Sequence, residues 1–209
     1  MARIGLGVLF GVLGLAVAQT LESVEPVIDV SFPAGDSLEL RGQLYQPNGG
    51  GPFPAVVLMH RCDGMLANMT PMEKVALMLR DSGYVVLVVD SFGPRGVRNV
   101  CDDPVLVKSP NPRDRVEDAL VANRYLSSLK FVDSSRVGLV GWAHGGITAL
   151  MTWARNSDAS GGSPFAAIAA YYPLCGVMGI DIRSSNTPLL IFIGDRDDVV
   201  SASGCQSFR

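Results

Sequence analysis

The chain has 209 residues, 48% of them hydrophobic and 18% charged, with a net charge of −3. That composition suits one packed domain and excludes a disordered chain. The slight acidity, with no basic run interleaved with aromatics, excludes an electrostatic binder of nucleic acid or of an anionic membrane surface.

In chain order, residues 1–18 read as a signal peptide. Arg3 supplies the positive n-region, Ile4 to Val17 is an almost continuous apolar run, and Ala16-Val17-Ala18 is a small-x-small cleavage site. The run is shorter than the ~20 apolar residues of a spanning helix, which favours a cleaved leader over an anchor. The mature domain would then occupy residues 19–209, secreted or periplasmic, with no membrane association after cleavage. Export places Cys62, Cys101, Cys175 and Cys205 in an oxidising compartment, so disulfides are expected, with three pairings possible. No C-x-x-C pair is present, and no metal site is expected.

Val27 to Phe32 and Leu38 to Tyr45 alternate like an antiparallel hairpin of edge strands. Ala55 to Met59 is an unbroken apolar run, the pattern of a strand buried on both faces. Thr70 and Glu73 have capping-box spacing with Pro71 between them, which predicts a helix opening there. Val75, Met78 and Leu79 would be its apolar face and Gly83 its stop. Tyr84 to Val89 is the next buried strand, and Ser91 to Pro110 a long loop carrying Arg95, Arg98 and Cys101. Asn111 and Pro112 open a second helix, with Ala119, Ala122, Leu126 and Leu129 at helical spacing. Arg136 to Val140 is a third buried strand, followed by a helix from His144, and Phe165 to Tyr171 and Leu189 to Ile193 are two further strands. Strand and helix alternate after the hairpin. The expected class is therefore α/β, a mostly parallel sheet with helices on both faces and its site at the carboxyl ends of the strands.

Three strand ends carry chemistry-bearing patterns. Gly141-Trp142-Ala143-His144-Gly145-Gly146 matches a nucleophile elbow, G-x-Nuc-x-G, at every position except the nucleophile. The glycines make room for a strained turn that lifts its central side chain above the sheet. Here that side chain is the methyl group of Ala143. The spacing is not that of a dinucleotide fingerprint, and no cofactor is expected. His60-Arg61-Cys62-Asp63-Gly64 stands where such a scaffold donates one backbone N–H to an oxyanion hole, the residue after the nucleophile donating the other. Cys62 and His144 are the expected donors. His60 reads as a loop residue with local hydrogen bonds rather than a general base. In Gly194-Asp195-Arg196-Asp197-Asp198, Asp197 falls where a triad acid sits, with Asp198 as the alternative.

Together these residues resemble the dienelactone hydrolase family of α/β-hydrolases, in particular its exported, cysteine-containing branch. The resemblance also draws on Asp90-Ser91-Phe92, Arg95-Gly96 and Tyr172-Pro173 with Cys175, and it runs from residue 26 to the end. It implies hydrolysis of a small-molecule ester or lactone by a nucleophile–His–Asp triad, without cofactor or metal. Two departures stand out. Ala143 offers no nucleophile, and neither His60 nor His144, the only histidines, follows Asp197. The family fold continues past the acid loop with a helix, a strand and a last helix. The resemblance thus implies a truncated chain whose Leu189–Ile193 strand forms an unprotected edge. As written, the chain is expected to be catalytically dead. The alternative is a non-catalytic binding protein that keeps the pocket. On this scaffold Cys62–Cys101 and Cys175–Cys205 are the expected disulfides, each joining loops at the carboxyl edge of the sheet. Arg95 would overlook the elbow, to hold a substrate carboxylate or to form a structural salt bridge. Trp142 would line the pocket or pack in the core, and the pocket is the expected place.

Overall fold

The computed structural model describes residues 27–103, 109–155, 165–177 and 185–208. The expected signal peptide lies outside the described residues. Among the described residues, seven strands form one sheet in the order β1-β2-β4-β3-β5-β6-β7. The hairpin of β1 (Ile28–Pro33) and β2 (Glu39–Tyr45) joins the sheet through antiparallel pairing of β2 with β4 (Val85–Asp90). The other pairings, among β3 (Phe53–Met59), β4, β5 (Val132–Trp142), β6 (Ala167–Tyr171) and β7 (Leu189–Phe192), are all parallel.

Alternate strand residues divide the core in two. Val57, Leu87, Val89 and Leu139 face α2 (Pro112–Ser128) and α3 (His144–Arg155). Val56, Leu58, Val86 and Val88 face α1 (Gly64–Asp81). Because both faces are covered, β3 and β4 read as apolar runs rather than as alternation. The carboxyl ends of β3, β5 and β6 finish together, Met59 beside Gly141 and Trp142 beside Tyr171.

Helix α2 opens as expected. The Asn111 side chain accepts from the Arg113 and Asp114 N–H groups, and the Asp114 carboxylate accepts from the Asn111 N–H. Helix α1 departs from expectation at its start. It begins at Gly64 and runs through Pro71. Its buried stripe is Met65, Asn68, Met72 and Ala76, at helical spacing, whereas Met78 is 60% exposed. This stripe begins ahead of the proline and outweighs the capping signal at Thr70. Pro71 lies on the exposed side of the helix, where its missing N–H removes one ladder bond. The end is as expected. Gly83 takes φ +89°, its N–H bonds the Arg80 carbonyl at 2.9 Å, and the Tyr84 N–H bonds the Leu79 carbonyl at 3.0 Å.

Strand β5 starts earlier than its apolar run, at Val132, because residues 133–136 extend it as an exposed polar segment. On β7, Leu189 and Ile191 pack against the α3 side of the core, while Leu190 and Phe192 stand 61% and 44% exposed.

Candidate active site

The turn between β5 and α3 has the geometry that its glycines predict. Ala143 is held at φ +47°, a left-handed conformation that costs a residue with a side chain on the order of 1–3 kcal/mol. Two bonds pin it there. Its N–H donates to the Tyr171 carbonyl at 3.0 Å, and its carbonyl accepts from Ile147 at 2.8 Å. A Cβ on Gly141 would collide with the carbonyl of Gly145, and one on Gly145 with the carbonyl of Met59. A Cβ on Gly146 would stand 2.9 Å from the Tyr171 oxygen. The three glycines therefore let α3 start directly against the ends of β3 and β6, lifting position 143 above them.

Behind this turn lies a buried polar cluster. Arg115, on α2, is fully buried. One Nη donates to His144 Nδ1 at 2.8 Å, the other to the His60 carbonyl at 2.9 Å. Arginine only donates, so His144 Nδ1 is the acceptor and its ring proton sits on Nε2. His60 Nδ1 donates to the Arg61 carbonyl at 2.7 Å, and its Nε2 accepts from the Ser91 N–H at 3.3 Å. Both ring nitrogens of His60 are therefore occupied, which leaves it the local hydrogen-bonding role. Phe92 packs edge-on to the two imidazoles, at 4.5 and 5.9 Å, with the Arg115 guanidinium 5.0 Å from its centroid. Burial, then the nearby Arg115 charge, pushes His144 down to about 3. The same two causes hold His60 well below the usual imidazole range. Burial lowers Arg115 to about 9, partly opposed by Asp118, so it stays cationic at neutral pH.

The other predicted residues fall as follows. Cys62 is joined to Cys101, tying the loop after β3 to the loop after β4, and the Val100 N–H bonds the Cys62 carbonyl at 2.8 Å. Cys175 is joined to Cys205, tying the loops after β6 and β7. These are the expected pairs. Among the described residues, the group Cys62, Asp63 and Cys101 is the one with metal-ligand proximity, and its two sulfurs are bonded to each other. Arg95 grips both oxygens of buried Asp118, at 2.8 and 2.9 Å, and also the Ser91 carbonyl. Of its two readings, this geometry is that of the structural salt bridge, and it occupies the groups that a substrate carboxylate would use. Asp197 closes its own loop, Oδ1 accepting from the Val199 and Val200 N–H groups at 2.9 and 2.8 Å. Among the described residues neither histidine bonds to it. Trp142 lines a pocket of about 120 Å³, with Arg61 and Tyr172 beside it and Asn68, Pro71, Met72 and Val75 of α1 opposite. Its ring stacks on Tyr171, which stacks on Phe192, at 5.4 and 4.5 Å.

Two residues of this region escaped the sequence reading. Tyr172, at φ +38°, is known there only as half of a Tyr-Pro pair. Arg115 had a visible signal, since it continues the stripe Ala119, Ala122, Leu126 back by four residues and puts a charge on an apolar helix face.

The sequence model described as "Dienelactone hydrolase family" matches residues 40–209. A protein of Bradyrhizobium sp. named "Probable 2-oxo-3-(5-oxofuran-2-ylidene)propanoate lactonase" is 26% identical over 172 residues, 79% of this chain and 68% of its own length. Human dipeptidyl peptidase 8 is 28% identical over 157 residues, 68% of this chain but 17% of its own length. Among solved structures, a dienelactone hydrolase-like promiscuous phosphotriesterase from metagenomic libraries superposes with a TM-score of 0.71. That match has 20% identity and covers 88% of this chain and 74% of that one. The α/β hydrolase GrgF of Penicillium sp. sh18 superposes at 0.55, with 23% identity, over 71% of this chain and 46% of that one. The chain thus spans less than half the length of GrgF. These structural likenesses establish an α/β-hydrolase fold.

Proposed function

The chain belongs to the dienelactone hydrolase family, and on that premise we propose that its serine-bearing form is an exported hydrolase of small-molecule carboxylic esters or lactones. The observation that carries this reading is the elbow, a non-glycine residue at φ +47° between the end of β5 and the start of α3. A hydroxyl at position 143 would be presented to a substrate carbonyl above the sheet. The oxyanion formed by its attack would be received by the backbone N–H groups of Cys62 and His144. His144 is the first residue of α3, where an N–H has no intrahelical acceptor. One such donor is worth roughly 3 kcal/mol in the transition state. Asp197 would be the triad acid and Trp142 a wall of the substrate pocket. The lactonase name of the Bradyrhizobium relative agrees with the lactone half of this reading. Two disulfides agree with a secreted or periplasmic location. Among the described residues no helix is long and apolar enough to cross a membrane.

In this reading the chain as written is inactive. A methyl group at position 143 cannot attack a carbonyl, and both histidines are engaged elsewhere. A second reading, a binding protein that keeps the pocket, is favoured by that same methyl group. It would show saturable ligand binding without turnover.

Ala143→Cys tests the site without a general base, because a thiolate needs none. Incubated with p-nitrophenyl butyrate, this variant should gain one butyryl group at position 143, seen by mass spectrometry, faster than a free thiol reacts. Acylation no faster than the free thiol overturns the elbow as a nucleophile site. Turnover of the ester by the unmodified chain overturns the proposed inactivity.

A further inference from the structure

Arg115 carries a buried charge that the proposed chemistry does not use. A guanidinium taken out of water needs partners to offset its lost hydration. Both oxygens of Asp118, the carboxylate whose charge most opposes the effect of burial on Arg115, are already held by Arg95. The Arg115 Nε has no hydrogen-bond partner among the described residues. What Arg115 does contact are two segments distant in sequence. Its fork bonds the His60 carbonyl, two residues before Cys62, and the ring of His144, at separations of 55 and 29 residues. These segments carry the two backbone donors of the proposed oxyanion site. The Phe92 ring, against the guanidinium and both imidazoles, closes the cluster.

We propose that Arg115 is a positioning residue that fixes the two oxyanion donors relative to one another and keeps a positive charge beside both. The proposal rests on the oxyanion reading above. Arginine suits the task because its planar fork reaches two acceptors at once, whereas a lysine ammonium is a point charge on a flexible stem.

The test is a titration of the full 209-residue chain, ¹⁵N-labelled, with butyrate as the oxyanion probe, following the Cys62 and His144 amide resonances. In the parent chain both should shift together and saturate. Arg115→Gln, checked for folding by circular dichroism, should bind butyrate about tenfold more weakly, the scale of one charged hydrogen bond. Arg115→Lys should recover part of that loss by restoring the charge, which a purely space-filling role would not predict. Unchanged affinity in Arg115→Gln overturns the proposal. Should that variant not fold, His144→Leu removes the imidazole end of the fork and keeps the backbone donor. A weakened affinity there supports the proposal, and an unchanged one overturns it. A parent chain whose two amides ignore butyrate removes the oxyanion reading itself, and the clamp with it.

Discussion

Position 143 and its pocket neighbour Tyr172 are the two non-glycine residues held at positive φ among the described residues, and position 143 is the one at the elbow. Its left-handed φ is tolerable for glycine and costly for alanine. Ala143→Gly should therefore raise stability by up to about 1 kcal/mol in urea unfolding, the relief being partly cancelled by the freer unfolded chain. Gly145→Ala should do the opposite, by about 2 kcal/mol or more, because its Cβ would meet the Met59 backbone, which cannot yield. Equal stability of parent and Gly145→Ala would contradict the tight approach of α3 to β3. The two buried histidines make stability depend on pH. Folded, His144 titrates at about 3 and His60 also lies below its ordinary value of 6.5. Unfolded, both return to about 6.5. Between those limits the unfolded chain binds more protons, so stability falls as pH drops, by up to ~1.4 kcal/mol per unit for each histidine. Above pH ~6.5 both are neutral in either state and add no slope. Urea midpoints should thus decline from pH 6.5 to 5, and His144→Gln should flatten the decline. A pH-independent midpoint over that range would contradict neutral, buried imidazoles.

At the scale of elements, the disulfides brace the loops that follow neighbouring strands, and the two bridges differ in exposure. Cys101 lies at the surface, whereas Cys175 and Cys205 are both buried. Limited dithiothreitol treatment followed by alkylation should therefore label Cys62 and Cys101 before Cys175 and Cys205, as read by peptide mapping. The bridge spans 39 residues, which in the chain-entropy account gives about 4 kcal/mol as an upper figure. Replacing both cysteines by serine should lower unfolding stability by roughly 2–4 kcal/mol. A smaller loss would mean that the Val100–Cys62 backbone bond holds the loop unaided. Elements also show where sequence patterns succeed. The helix start at Asn111 was legible because Asn-Pro is a local, self-sufficient signal, whereas the reciprocal bond from Asp114 is seen only in the structure. The start of α1 was not, since Thr70-Pro71-Met72-Glu73 offers an equally local signal that is overruled by tertiary burial of Met65 and Asn68. The turn after β5 was legible as a turn because a Cβ on Gly141, Gly145 or Gly146 would crowd nearby backbone. Arg115 was missed because a pattern of apolar spacing does not ask what a charge on the same stripe is bonded to.

On the scale of the whole molecule, the sheet is protected unevenly. At one side the hairpin of β1 and β2 covers β4. At the other, β7 pairs only with β6 among the described residues, and its outer residues are apolar. An apolar edge strand with free backbone groups is a template for association. Leu190 and Phe192 share the face of β7 away from α3, but they are not equivalent. Phe192 stacks on Tyr171 and through it on Trp142, so it supports the pocket wall, whereas Leu190 is 61% exposed. A lysine at position 190 keeps its stem along the sheet and places a charge on the edge, the usual device against edge-to-edge pairing. Leu190→Lys should therefore reduce concentration-dependent light scattering while changing stability by no more than about 0.5 kcal/mol. Phe192→Lys should reduce scattering too, but at a measurable loss of stability, because it breaks the aromatic stack. If Leu190→Lys scatters as strongly as the parent, association does not proceed through β7.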